Sequence, residues 1–295
     1  MKLPAAFSVV CSDDGRLLCS IHRRITITDL VSRQRLSVSR LLPHPSAGAF
    51  SPDSLRLAVK HTDGRIIVME PRSGDVLHNF DNRGEGEGCG PLFSPDGAEL
   101  VDGSWNGVLT HRSAHDGTII SRMHFPGEMI SRLSHDRLRH LWLFEHKPKV
   151  KAGENMPAPG YVSLRTWPFS SSKVLNLSFG MHFEAATLSP EGTRIAFIEK
   201  TVERRLTVAR VTDGQILAVS APLAVSGSAT GDAIAWTNDG CGLLAVSKDQ
   251  FLAFEARSLT QTGHWPSLYP ASIAPIPGGT DVVFGAWKGS RLVKM

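Results

Sequence analysis

Short apolar runs alternate with turn signals along nearly the whole chain. Seven of these runs form one series: "RLLCSI" (16–21), "RLAVKH" (56–61), "AELVDG" (98–103), "HLWLFE" (140–145), "RIAFIE" (194–199), "GLLAVS" (242–247) and "DVVFGA" (281–286). Each is six residues long, too short for a typical globular helix. Such runs suit strands covered on both faces. A compact turn precedes each: "SDDG" (12–15), "SPDS" (51–54), "SPDG" (94–97), "SHDR" (134–137), "SPEG" (189–192), "TNDG" (237–240) and "IPGG" (276–279). The last residues of these turns lie 39, 43, 40, 55, 48 and 39 positions apart, a spacing that marks an internal repeat.

The turn chemistry is consistent with tight hairpins. Proline in second place presets φ for a type I turn, and glycine in fourth place supplies the left-handed residue that follows it. Ser54 and Arg137 stand where the pattern wants glycine, so some backbone strain is expected there. Third runs such as "RITITDL" (24–30) and "RLTVARV" (205–211), and fourth runs such as "VLHNF" (76–80) and "TIISRMHF" (118–125), complete units of four antiparallel strands. Four strands per repeat of this length predict an all-β, seven-bladed β-propeller occupying residues 1–295 as a single domain. The expected blades are 7–42, 47–80, 91–125, 128–179, 183–220, 232–264 and 271–295, the last incomplete or supplemented by residues 1–6.

The segment "AFSPDSLRLAVKHTDGRIIVMEPRSGDVLHNF" (49–80) resembles a repeat of the WD40 family, and similar units cover the chain. The family's Trp-Asp pair is replaced by Thr28-Asp29, Met69-Glu70, Ala209-Arg210 and Phe254-Glu255, so no unit carries it intact. The resemblance implies a non-catalytic scaffold or adaptor that binds a partner protein or peptide. The alternative is a propeller enzyme or small-ligand or metal binder, lactonase-like or dehydrogenase-like, with its site in the central funnel.

Composition narrows this further. With 32 basic residues against 28 acidic, the net charge of +4 is mild and scattered; the longest basic runs are "KPKVK" (147–151) and "ERR" (203–205). That distribution argues against a nucleic-acid stripe. No apolar stretch approaches the ~18 residues of a membrane span. The N-terminus lacks a convincing secretory cleavage site, and a cytoplasmic location is expected. Cys11, Cys19, Cys89 and Cys241 are dispersed without a C-x-x-C pair and read as buried structural thiols.

In four-stranded blades of this kind, the long connections emerge on one face and the Ser-Pro-Asp-Gly turns on the other. The long connections are "DNRGEGEGCG" (81–90), "HKPKVKAGENMPAPG" (146–160), "TVERR" (201–205), "PLAVSGSATGD" (222–232) and "HWPSLYPAS" (264–272). The candidate partner-binding residues are therefore Glu85, Glu87, Lys147, Lys149, Lys151, Arg204 and Arg205, with Trp265 and Tyr269. "GSWNG" (103–107) and "GAWKG" (285–289) add Trp105 and Trp287 at equivalent ends of the second strand, as aromatic anchors or as blade packing.

No chemistry motif emerges. His111 and His115 are four residues apart on extended chain, about 13 Å and too far to share one ion. H-E-x-x-H, G-x-S-x-G and a P-loop are missing from the sequence. No cofactor, no metal and no catalytic role are expected.

Overall fold

The computed structural model describes residues 2–39, 44–81, 86–149, 159–169, 174–224 and 233–295. Its strands form seven four-stranded antiparallel sheets, the blades of a propeller. Blade one comprises Ser8–Cys11, Leu17–Ile21, Ile25–Asp29 and Arg35–Ser39; blade two Pro45–Phe50, Leu57–His61, Ile66–Met69 and Val76–Phe80. Blade three holds Leu92–Phe93, Glu99–Gly103, Val108–Ser113 and Ile119–His124; blade four Glu128–His135, Leu141–Pro148, Tyr161–Thr166 and Leu175–Leu177. Blade five contains Phe183–Leu188, Arg194–Glu199, Arg205–Arg210 and Ile216–Pro222; blade six Ile234–Trp236, Gly242–Ser247, Gln250–Glu255 and Gln261–Pro266. Blade seven takes Pro270–Pro275, Asp281–Ala286 and Ser290–Lys294 from the C-terminal end, and Lys2–Leu3 from the N-terminal end as its outer strand. Lys2 pairs with Arg291 and Leu3 with Ser290, so the ring closes between the two termini and blade seven has its fourth strand.

Continuous apolar runs follow from burial on both sheet faces. Among the described residues, seven apolar clusters sit one at each junction between neighbouring blades. The junction of blades six and seven shows the packing: Phe251 stacks on Phe284 with ring centres 4.2 Å apart. Leu3, Ala6 and Val9 join Ala274 and Val283 at the closure, so the N-terminal segment contributes core as well as strand. No helix among the described residues is long and apolar enough to cross a membrane.

The repeated turn owes its serine and aspartate to a shared hydrogen-bond pattern. In blade three, Ser94 Oγ accepts the Glu99 N–H at 2.9 Å and donates to the Asp96 carboxylate at 2.6 Å, while Asp96 accepts the Ala98 N–H at 3.0 Å. Ser12 with Asp14, Ser51 with Asp53 and Thr237 with Asp239 repeat the arrangement. The Ser94 hydroxyl and the Ala98 N–H together hold the Asp96 carboxyl below its usual range. Ser54 takes the left-handed conformation expected of it, with φ 61°.

Blade four departs from the expected register. Its turn is Asp136–Arg139 rather than 134–137: Asp136 N–H bonds Leu141 O, Asp136 Oδ1 accepts the His140 N–H at 2.7 Å, and the left-handed residue is Arg139 with φ 58°. An aspartate carboxylate here replaces the serine hydroxyl, so matching on Ser134 misplaces the turn by two residues.

These turns also lock neighbouring blades together. Asp14 N–H bonds Ser54 Oγ, Arg56 reaches Gly97 O, Arg137 N–H bonds Pro190 O, Arg194 reaches Gly240 O, and Asn238 bonds Ile276 O and Gly279 O. Between blades one and seven the contact is closer still. A Cβ at Gly15 would lie 2.6 Å from Pro277 O, so this position admits only glycine without movement.

Candidate functional site

The face opposite these turns carries a cavity of about 810 Å³. Its wall is made from two equivalent kinds of position. The first is the turn between second and third strands: His22 and Arg23 in blade one, Thr62 in blade two, Trp105 in blade three, and Trp287 and Lys288 in blade seven. The second is the approach to, or inner part of, the innermost strand: Phe7 and Ser8, His44–Gly48, Gly90–Leu92, and Ser131–Leu133. The volume falls within the ~300–1,000 Å³ typical of ligand pockets.

Trp105 and Trp287 thus meet at one cavity, from blades three and seven. They are 47% and 40% exposed, so each offers a large apolar surface to an occupant. Trp287 is also fastened: it stacks on Phe7 at 5.2 Å and meets His22 edge-on at 5.4 Å. Its backbone N–H donates to Tyr269 O at 3.1 Å, and Lys288 Nζ lies 5.9 Å from the Tyr269 ring centre, which places the exposed Tyr269 on the adjoining rim.

Charge in the wall is uneven: among the described residues that line it, Arg23, Arg132 and Lys288 are cationic and Glu87 is the one carboxylate. Partial burial pushes the Glu87 carboxyl above its usual range, while Lys60 pulls it back. Burial, then Arg23 and Arg24, holds the His22 imidazole below its ordinary value, toward the neutral form. Burial also pushes the Cys89 thiol up to about 12, so this lining cysteine stays protonated.

Behind the cavity, Lys60 Nζ of blade two lies 2.7 Å from Asp102 Oδ2 of blade three and donates to Gly103 O at 2.8 Å. Arg112 approaches the other Asp102 oxygen at 3.7 Å. On the far face, Arg139 of blade four reaches Asp13 of blade one with two contacts of 2.9 and 2.8 Å, and donates to Phe93 O of blade three. Blades one and four are not neighbours, so this bidentate pair crosses the interior of the ring opposite the cavity mouth.

The other expected residues divide differently. Trp265 does not line the cavity; it packs against Phe284 at 5.2 Å, as a partly buried side chain of the six–seven junction. Lys147 and Arg204 are not open cations. Lys147 bonds Glu184 O and the Glu145 carboxylate, and the buried Arg204 clamps the Glu184 carboxylate at 2.9 and 2.6 Å. Arg205 pairs with Glu203 and bonds Ser220 O. Lys149 donates its backbone N–H to Gly127 O and is not in the cavity wall. Glu85 and Lys151 lie outside the described residues. Of the four cysteines, Cys241 is exposed rather than buried.

Sequence reasoning missed Phe7, His22, Arg23, His44, Arg132 and Lys288. The signal was present in the repeat itself: five of these occupy the same places in their blades as Trp105, or just precede or open an innermost strand. A second grouping was also invisible. His146 Nε2 bonds Ser163 Oγ at 2.7 Å and His146 Nδ1 bonds Glu128 at 2.9 Å, the connectivity of a nucleophilic triad. Here it is closed to substrate. Ser163 is 2% exposed, His146 is 0% exposed, and His146 lies between Tyr161 and Phe125 at 4.4 and 4.7 Å. It links three strands of blade four as a polar tie. Among the described residues, no group of three or more His, Cys, Asp or Glu side chains is placed to hold a metal ion.

No protein-family model matches the chain. Among solved structures it is similar to a chain of Kuenenia stuttgartiensis hydrazine synthase, with 14% identity and a TM-score of 0.76, over 99% of this chain and 96% of that one. At this identity the likeness shows a shared fold. The resemblance to WD40 repeats therefore extends to the seven-bladed architecture, without a matching family model. The expectation that the protein is not an enzyme is corrected by the same finding: a propeller of this form occurs in an enzyme's structure, so the architecture gives no ground for setting catalysis aside.

Proposed function

We propose that the protein is a recognition module whose loop-rich face holds a partner protein, with a segment of that partner entering the funnel cavity. The observation that carries this reading is the convergence of Trp105 and Trp287 on one cavity, with Leu268 and Tyr269 extending the exposed apolar surface beyond it. Exposed aromatic anchors beside a polar, charged surround are the usual makings of an interface hot spot. Recovery of bound partners on the immobilised protein tests it. Trp105→Ala is expected to lose them, and Leu55→Ser, at an exposed position on the turn face, to keep them. Equal recovery by both variants, or equal loss, would sink the choice of face.

A second reading, a small molecule bound and processed in the same cavity, draws on Glu87. Its carboxyl is held toward the protonated form, and the imidazoles of His22 and His44 also line the cavity. A carboxyl shifted toward its acid form in an aromatic-walled pocket suits general acid catalysis. Turnover that survived Glu87→Gln would remove this role.

A further inference from the structure

We infer that the segment entering the cavity is acidic: a short peptide stretch combining aspartate or glutamate with a bulky apolar side chain. This rests on the partner-binding reading and specifies what the partner presents. Among the described residues that line the cavity, the cations Arg23 and Lys288 stand exposed against the single carboxylate of Glu87, whereas the chain as a whole is nearly balanced in charge. Both cations come from the turns between second and third strands of the adjoining blades one and seven, the blades that carry Phe7 and Trp287, so an occupant packed on that aromatic pair meets positive charge beside it. Arg23 and Lys288 are exposed at the rim, where they can meet a carboxylate without first breaking a buried contact. The ion pair of Lys60 with Asp102 behind the wall is internally matched and does not cancel this excess.

The apolar half of the ligand follows from the walls. Trp105 from blade three and the Phe7–Trp287 stack of blades one and seven supply flat hydrophobic surface to one cavity, which suits an aromatic or aliphatic side chain more than an extended polyanion. Glu87 within the wall also disfavours a nucleic-acid backbone, which would bring a phosphate every few ångströms past that carboxylate. Carboxylate and phosphoserine side chains share the anionic chemistry, and the experiment separates them.

The test selects from a random heptapeptide library displayed on phage, using the full chain as bait. Selected peptides are then measured as fluorescein conjugates by anisotropy. The expected pool is rich in Asp or Glu beside an aromatic or aliphatic residue. Replacing those acids by Asn and Gln weakens binding by about tenfold or more, and so does Arg23→Gln or Lys288→Gln. Both substitutions are at exposed positions, and unchanged thermal melting confirms that the fold is intact. A phosphoserine-substituted copy of each peptide shows whether phosphate is preferred to carboxylate, and a ten-nucleotide oligouridylate is the nucleic-acid competitor.

Peptides that need Trp105 but have no acidic preference would overturn the charge assignment and leave the partner-binding reading standing. A library yielding no peptide that depends on Trp105 would overturn both. Displacement of the peptides by oligouridylate at lower concentration than by unlabelled peptide would overturn the peptide assignment in favour of nucleic acid.

Discussion

Replacing Lys60 with methionine isolates what the buried ion pair behind the cavity contributes. The Lys60 and Asp102 side chains are 1% and 2% exposed and 2.7 Å apart, tying blade two to blade three. At an effective dielectric near 20, attraction across that distance is roughly 6 kcal/mol, offset by several kcal/mol of lost hydration per ion. The intact pair is therefore close to neutral in net terms. Removing one member leaves Asp102 buried, with Oδ1 already lacking a hydrogen-bond partner and Oδ2 newly without its lysine. Such stranded charges cost about 3–5 kcal/mol. Arg112, 3.7 Å from Asp102, offsets part of that cost, so about 3 kcal/mol is expected for Lys60→Met. Urea unfolding of Lys60→Met, Asp102→Asn and the double variant completes a thermodynamic cycle. The double variant should be less destabilised than the two singles summed, by about 2 kcal/mol. Additivity to within about 0.5 kcal/mol would show that the two charges do not depend on each other and would refute the reasoning.

Other expectations concern the cavity and the polar tie in blade four. Trp287→Ala should be more destabilising than Trp105→Ala by about 1 kcal/mol, measured by denaturant titration, because only Trp287 loses an aromatic stack on Phe7. Each tryptophan leaves roughly 100 Å² exposed, so covering it with a ligand contributes about 2–3 kcal/mol, and each alanine variant should weaken binding by the order of a hundredfold. The raised Glu87 carboxyl makes folding more favourable below its unfolded pKa, a contribution lost as pH rises through the folded value. Glu87→Gln cannot ionise, so its melting temperature should match the parent near pH ~4 and exceed it near pH ~8; a constant difference would count against the burial of that carboxyl. Ser163→Ala removes the buried partner of His146 Nε2 and should cost about 1–3 kcal/mol of stability while leaving partner recovery unchanged.

What the sequence discloses is chemistry confined to neighbours in the chain. The Ser94–Asp96 turn is complete within six residues, from the Ser94 hydroxyl to the Glu99 N–H, so its pattern survives as a readable motif and counts the blades. Trp105 and Trp287 were found in the same way, because the repeat phase fixes the face they occupy. Pairings across strands or blades leave no such mark. Lys147 of blade four looks like an exposed loop cation until Glu184, from the innermost strand of blade five, is placed beside it, and Arg204 meets the same Glu184 within blade five, 20 residues away in the chain. The blade-four turn escaped because Asp136 performs the serine's hydrogen bonding with a different side chain. For the cavity's cations the repeat carries the face but not the neighbourhood. Arg23 and Lys288 stand at corresponding turns of blades one and seven, 265 positions apart in the chain, and only closure of the ring brings them to one wall.

Photo-crosslinking tests the placement of the binding site most directly. Benzoylphenylalanine at Thr62, which is exposed and lines the cavity, should form adducts with the bound partner, and the same group at Leu55 on the turn face should form none. Adducts from position 55 with none from position 62 would show that the partner sits among the serine-led turns and that the cavity is not its site.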